Sequence, residues 1–234
     1  MTDALTFPPL LWGEAAPGDA FEHACSQAVL GCEAGLVTHR LDPARMQAAM
    51  VFAPEIPLSS AMTMLPLCAV ALQNALGALA PPEVAVEFDW QGGIYINGAS
   101  CGQLRAIAPD RENRAAMPDW LVIGFTLPLL PPQEDTGLTP DQTALFVEGC
   151  ADIAPPQLVE VWARYVMNWI TRWEADGPRP LHGEWRGLLR GIGEEFQHGG
   201  LTGKFLGLDD EFGLLIRDSD TTHNLPLTQM LETL

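Results

Sequence analysis

The stretch that decides the fold spans residues 88–102 and reads Phe88-Asp89-Trp90-Gln91-Gly92-Gly93-Ile94-Tyr95-Ile96-Asn97-Gly98-Ala99-Ser100-Cys101-Gly102. Its centre is the Asn97-Gly98 pair, which stands between two segments rich in strand-forming residues. Asn and Gly tolerate the positive φ angles of a tight turn, so this pair is a strong short-range signal for a β-hairpin. The pattern predicts that residues 94–96 pair antiparallel with residues 101–107.

Helices and further strands are predicted on both sides of this hairpin. Before it, the apolar spacing predicts a helix over 17–33, strands over 36–41 and 48–53, and a buried helix over 59–79. After it, the pattern predicts a strand over 120–127 and a long helix that begins at Pro155-Pro156. Residues 56–82 carry no charge and are long enough to span a membrane, but Pro66, Gln73 and Asn74 lie within them. A buried core helix is therefore expected, and no membrane association.

The C-terminal part is expected to be a separate small unit. Asp176-Gly177-Pro178 is the predicted linker, followed by a short helix over 181–190 and several short strands separated by glycine-rich turns. We therefore predict α+β architecture: residues 1–180 form a mixed, mostly antiparallel sheet with packed helices, and residues 181–234 form a small SH3-like β-barrel. Its expected apolar contacts are Leu206, Leu208, Leu214 and Ile216.

The composition restricts the partners and the compartment. The chain has 30 Asp and Glu against 12 Lys and Arg, a formal net charge of −18, and its only lysine is Lys204. Such a field repels phosphates, which argues against nucleic acid and anionic membranes. Five cysteines without a C-x-x-C pair, and no signal-peptide pattern, predict free thiols in a cytoplasmic protein. No His or Cys spacing predicts a metal site.

Three motifs resemble the biotin/lipoate A/B protein ligase family, in the family's order. The first is Trp90 with the Gly92-Gly93 turn, the hairpin and Gly102. The second is the strand over 121–128, and the third is the pattern of glycines, Asp209 and apolar residues over 203–215. The resemblance implies ATP-dependent activation of biotin or lipoate to an acyl-adenylate, and transfer of the acyl group to a lysine of a carrier protein. It also implies a ligand site at Trp90, Gly92, Gly93, Ser100, Cys101, Gly102, Arg105 and Gly124.

The sequence departs from the family where the chemistry needs charge. The family's lysine falls on Ser100 or Ala99, depending on the direction of counting, and its strand-end carboxylate on Gly92 or Gly93. The family's arginine-rich glycine loop would lie between residues 40 and 50, where only Arg45 is found.

Three interpretations follow from this comparison. The first is a ligase-like protein that no longer forms acyl-adenylates and keeps a ligand- or partner-binding role. The second is a divergent ligase in which Arg105 or Arg45 takes over from lysine, with ATP and biotin or lipoate as substrates and a carrier protein as partner. The third is an unrelated interaction protein, because architecture alone does not determine function.

Overall fold

The computed structural model describes residues 5–131 and 141–233. Its centre is a seven-stranded sheet in the order β1-β2-β3-β7-β6-β5-β4, made of the strands Trp12–Ala15 (β1), Leu36–Asp42 (β2), Arg45–Phe52 (β3), Val86–Phe88 (β4), Gly93–Ile96 (β5), Ala99–Ile107 (β6) and Leu121–Pro128 (β7). Only β1 and β2 pair parallel; all other neighbours in this sheet are antiparallel. The mixed, mostly antiparallel sheet predicted from the sequence is confirmed.

The predicted hairpin is present between β5 and β6. Asn97 and Gly98 have φ angles of 50° and 88°, and Ile96 pairs with Ala99 across the turn. The register between the strands then shifts before Gly93 pairs with Gln103. Gly102 lies in this irregular stretch with a φ of 136°, and a Cβ atom there would fall on the carbonyl oxygen of Thr126 in β7. Glycine is therefore required for β6 and β7 to approach this closely.

Three helices cover one face of the sheet: α3 (Met64–Leu79), α4 (Pro155–Asp176) and α5 (Arg179–Leu188), with the single turn α2 (Leu58–Ala61) before α3. Residues 58–79 have the length and hydropathy of a membrane span, but 72% of the apolar window is buried inside the protein. Two tryptophans of α4 fix its contact with α3: Trp162 donates to the Cys68 carbonyl oxygen at 3.1 Å, and Trp169 donates to Asn74 Oδ1 at 2.8 Å. This segment is packed as a core helix.

The opposite face of the sheet carries one short helix, α1 (Ala20–Val29). It buries Phe21, Ala24 and Ala28 against an apolar group of sheet residues and Trp120. A helix of 10 residues is about 15 Å long, whereas β3 with eight residues extends over about 26 Å. Helix α1 therefore leaves part of this face uncovered.

The C-terminal residues form a second, four-stranded antiparallel sheet. Its strands are Glu195–His198 (β8), Leu201–Leu208 (β9), Leu214–Arg217 (β10) and Thr222–Leu225 (β11), in the order β11-β10-β9-β8. Leu214 and Ile216 are fully buried as predicted, and Leu208 packs against the core. The expectation for Leu206 is wrong, because neighbouring side chains alternate across a strand: Phe205 points into the core and Leu206 points outward.

Helix α5 follows the predicted linker but packs against the first unit. It contacts α3 and α4, and the ring of its Trp185 lies 5.4 Å from the ring of Phe88 in β4. Gly177, with a φ of 75°, ends α4 and allows the chain to turn directly into α5. The boundary between residues 180 and 181 remains a prediction.

The two glycines of the hairpin region give a matched stability test. Gly98→Ala places a methyl group in open space at a positive φ and should destabilise the protein by about 1 kcal/mol. Gly102→Ala adds a collision with the backbone of β7, and we expect a cost of about 3 kcal/mol or more. Urea unfolding monitored by circular dichroism would measure both, and equal costs would contradict the close approach of β6 to β7.

Candidate functional site

Polar side chains lie on the sheet at the N-terminal end of α1. Gln47 of β3, Thr126 of β7 and Gln103 of β6 are neighbours in one row across the sheet. In the next row towards α1, Gly124 of β7 stands beside Arg105 of β6. These two rows lie at the N-terminal end of α1, where Phe21 covers Gly124, and we refer to them together with Asp19 and Glu232 as the polar strip.

The guanidinium group of Arg105 is held by two carboxylates. Its Nε and a terminal nitrogen donate to the two oxygens of Glu232 at 2.7 and 2.8 Å, which is a bidentate pair. The other terminal nitrogen donates to Asp19 at 3.3 Å, and the group stacks over the Phe21 ring at 4.2 Å from its centre. The hydrogen bonds to Glu232 raise the pKa of Arg105. This cation is therefore fully engaged within the protein.

Glu232 is brought to the strip by the end of the chain. Leu231 forms a parallel bridge with Ala106 on β6, and the backbone N–H of Glu232 donates to the Ala106 carbonyl oxygen at 2.9 Å. The side chain of Arg111 also donates to the Leu231 carbonyl oxygen at 3.2 Å. The last described residues thus extend the central sheet next to Arg105.

Both carboxylate oxygens of Asp19 also have hydrogen-bond partners. It is the N-cap of α1, and its Oδ1 accepts from the backbone N–H groups of Phe21 and Glu22 at 3.0 and 3.1 Å. Its other oxygen accepts from Gln47 Nε2 at 2.5 Å. Gln47 is only 4% exposed, and its Oε1 has no hydrogen-bond partner among the described residues. The strip therefore contains one buried acceptor that a bound donor could satisfy.

A cavity of about 580 Å³ lies at the open end of this face. It brings together three residues singled out from the sequence: Arg45, Ser100 and Gly102. The other described lining residues are Asp42, Ala44, Pro128, Leu130, Pro131, Gln142 and Thr143. Ser100 is fixed by the neighbouring segment, since its N–H donates to the Asp141 carbonyl oxygen at 2.9 Å and its own carbonyl accepts from Thr143 at 2.8 Å.

The remaining predicted site residues do not line this cavity. Trp90 is 1% exposed, and its indole N–H donates to the Phe212 carbonyl oxygen at 3.3 Å, so it joins the two sheets and offers no open surface to a ligand. Cys101 is fully buried, and burial raises the pKa of its thiol to about 12. Gly92 and Gly93 form a turn closed by Asp89, which accepts from the Gly93 N–H at 2.8 Å.

Gly124 lies on the strip face but under a cover. A methyl group at this position would come within 2.9 Å of the Phe21 ring and 2.8 Å of the Ala49 methyl group. The glycine therefore serves the packing of α1 on β3 and β7. The predicted residues thus divide into a cavity group with Arg45, Ser100 and Gly102, a separately neutralised Arg105, and buried packing positions.

One known protein family matches most of this chain. Residues 7–187 match the biotin/lipoate A/B protein ligase family, and residues 192–233 match a domain of unknown function, DUF4444. The chain belongs to the biotin/lipoate A/B protein ligase family. Among curated proteins, none matches the sequence.

Solved structures agree with this assignment. A biotin protein ligase-like protein of unknown function from Silicibacter sp. TM1040 is 53% identical, with a TM-score of 0.92 over 98% of this chain and 100% of that one. The biotin protein ligase of Aquifex aeolicus in complex with biotin and ATP is 14% identical, with a TM-score of 0.69 over 96% of each chain. The Leishmania major enzyme in complex with biotinyl-5-AMP is 15% identical, with a TM-score of 0.58 over 93% of this chain and 99% of that one. The two ligases share the fold.

Family membership excludes the interpretation as an unrelated interaction protein. The positions at which this sequence departs from the family pattern can also be located in the structure. The two positions where the family's lysine would fall, Ala99 and Ser100, begin β6, and Ser100 lines the cavity. The range in which the family's arginine-rich loop was expected contains the tight connection between β2 and β3, where Asp42 pairs with Arg45 in the ladder. There the Nε of Arg40 donates to Asp42 at 2.8 Å.

Sequence reasoning missed Asp19, Gln47 and Glu232. Asp19 had a detectable signal, because an Asp directly before an apolar helical pattern is a common N-cap. Gln47 stands in a strand pattern and shows its burial only in three dimensions. Glu232 lies 127 residues from Arg105, and no local pattern connects the two.

The Arg105 clamp can be tested by neutralising one carboxylate. Glu232→Gln should lower the free energy of unfolding by about 0.5–1 kcal/mol, a modest value because the Glu232 side chain is 37% exposed. Glu112→Gln, whose side chain is 85% exposed, is the matched control and should change it by less than about 0.5 kcal/mol. Urea unfolding in low and high salt would measure both. If the two variants behaved alike at low salt, the clamp would carry no stability.

Proposed function

We propose that this protein is a biotin/lipoate ligase family member that has lost acyl-adenylate formation and binds a small carboxylic acid, or a partner that presents one. The observation that carries the proposal is the neutralisation of Arg105 by Glu232 and Asp19, in a strip with no lysine. Cytoplasmic location and a carrier-protein partner remain predictions within this proposal.

Acyl-adenylate formation needs positive charge at the reacting atoms. The carboxylate of the acyl group attacks the α-phosphate of ATP and pyrophosphate leaves, so the transition state carries several negative charges. Donors placed at that charge are commonly worth a factor of about 10²–10³ each in rate. In this chain Arg105 is paired twice and Arg40 is paired with Asp42. These pairings support the proposed loss of ATP use, because among the described arginines they leave Arg45 as the cavity-lining cation without an ion pair.

A single carboxylate makes smaller demands on the cavity. Arg45 is exposed at its rim, and no described residue forms an ion pair with it. Ser100 and Thr143 add hydroxyl groups, and Pro128 and Leu130 add apolar surface. One guanidinium, hydroxyl donors and an apolar wall suit an organic acid with an apolar chain, the chemistry that biotin, lipoate and octanoate share.

Two measurements on the same preparation test this function. Pyrophosphate release from ATP should stay at background with biotin, lipoate or octanoate, while an active biotin protein ligase serves as positive control. In thermal-shift experiments, at least one of these acids should raise the melting temperature without ATP, because a ligand that binds only the native state stabilises it.

Substitutions then locate the binding. Arg45→Ala should abolish the thermal shift, whereas Arg164→Ala, an exposed arginine on α4, should leave it unchanged. The position of Arg45 at the cavity also favours the second interpretation, a divergent active ligase. Pyrophosphate release at a normal enzyme rate, lost in Arg45→Ala or Arg105→Ala, would establish that alternative and overturn the proposal.

A further inference from the structure

A second and larger cavity lies at the opposite end of the central sheet. Its volume is about 860 Å³, and it is enclosed by the start of β1, the end of β3, the first turn of α3 and the last turns of α4. Large apolar side chains line it, among them Leu10, Trp12, Phe52, Met167, Ile170 and Trp173. We call it the apolar groove.

The apolar groove is separate from the polar strip. Strand β3 begins at Arg45, which lines the cavity of about 580 Å³, and it ends at Phe52, which lines the groove. Eight residues of strand place the two sites about 25 Å apart. A small acid bound at Arg45 therefore cannot extend into the groove.

The charged residues that line the groove all have the same sign. They are Glu33, Glu55 and Glu174, each exposed, and no Lys or Arg of the described residues lines it. The field of the whole chain, with a net charge of −18, adds to this local charge. Anionic occupants are repelled from the groove, and cationic ones are attracted.

The rim of the groove exposes large apolar side chains. Leu10 is 82% exposed, in a left-handed turn with a φ of 74°, and Trp12 on the edge strand β1 is 41% exposed. A left-handed conformation is rare for leucine and costs about 1 kcal/mol or more. A small ligand inside the cavity would leave these rim residues in water, whereas a protein segment lying across the groove would cover them.

We propose that the apolar groove binds a basic amphipathic helix of a partner protein. The apolar face of such a helix fits the accessible part of the lining, where Trp12 is exposed and Met167, Ile170 and Trp173 are partly exposed. Its Lys or Arg residues reach the three glutamates at the rim. This interaction is independent of the proposed acid binding at Arg45.

Designed peptides supply the probe. A fluorescein-labelled 18-residue helix with Leu on one face and Lys on the other should bind in fluorescence anisotropy, and raising the salt should weaken binding because the contacting charges are screened. A peptide with the same Leu pattern but Glu in place of Lys, and a Leu/Lys peptide with scrambled order, are the controls. Equal binding of either control would overturn the proposal.

Variants of the full chain place the peptide on the groove. The triple substitution Glu33→Gln, Glu55→Gln and Glu174→Gln should raise Kd about five-fold or more. A matched triple of other exposed acids, Glu83→Gln, Glu112→Gln and Glu211→Gln, should change Kd less than about two-fold, because it removes the same net charge away from the groove.

The apolar contact is tested separately. Trp12→Ala should weaken peptide binding about five-fold or more, and Leu30→Ala, an 80% exposed apolar side chain outside the lining, should not. Circular dichroism would verify that each variant is folded. Binding of phenethylammonium without peptide binding would overturn the choice of a protein partner, as would concentration-dependent self-association blocked by Trp12→Ala.

Discussion

The length of helix α1 constrains the rest of this structure. Ten helical residues cover about 15 Å, and the strands beneath them are longer, so one end of the sheet face must meet water. The side chains there are polar, and their charges must be balanced where they are partly buried. Asp19 performs two of these tasks at once: it caps the helix with Oδ1 and helps to neutralise Arg105, which β6 supplies from below. The helix end, the sheet and Glu232 from the last described residues meet at this single guanidinium.

This arrangement places two carboxylates, Glu232 and Asp19, around Arg105. Loss of a lysine by itself would leave a polar site short of one charge. Here a carboxylate from the chain end also occupies the strip, and Asp42 holds Arg40 at the connection where the family's loop would be. Both changes lower the positive potential that a triphosphate would need. These pairings support the proposed binding of a monoanion at the polar end of the sheet, and the glutamates at the opposite end support the proposed binding of a cationic partner.

The sequence predicted those parts of the fold that local chemistry determines. Asn97-Gly98 specified a turn because two adjacent positive φ angles are costly for other residues, and the uncharged segment before Pro81 specified a buried helix.

The site was less predictable. A tryptophan directly after a strand, such as Trp90, can serve either as a ligand-contacting surface or as a core residue. Its contact with Phe212 shows that it is a core residue. The partner of Arg105 depends on how the C-terminal residues return to the central sheet, which is a tertiary event. Either Phe205 or Leu206 could face the core, and only the register of the strand determines which of them does.

The glycines that carry the family resemblance have packing reasons that do not depend on catalysis. Gly102 lets β6 approach the Thr126 carbonyl oxygen, and Gly124 admits the Phe21 ring against β3. A chain that stopped forming acyl-adenylates would still need both residues to fold, whereas nothing in the fold would require a lysine at Ser100. Motifs made of glycine and buried aromatic residues can therefore persist without the reaction, and charged residues at the open face are the ones that report on it. By that criterion the family pattern in this chain indicates the scaffold, and the pairing of Arg105 with Glu232 is the feature on which the proposed loss of acyl-adenylate formation rests.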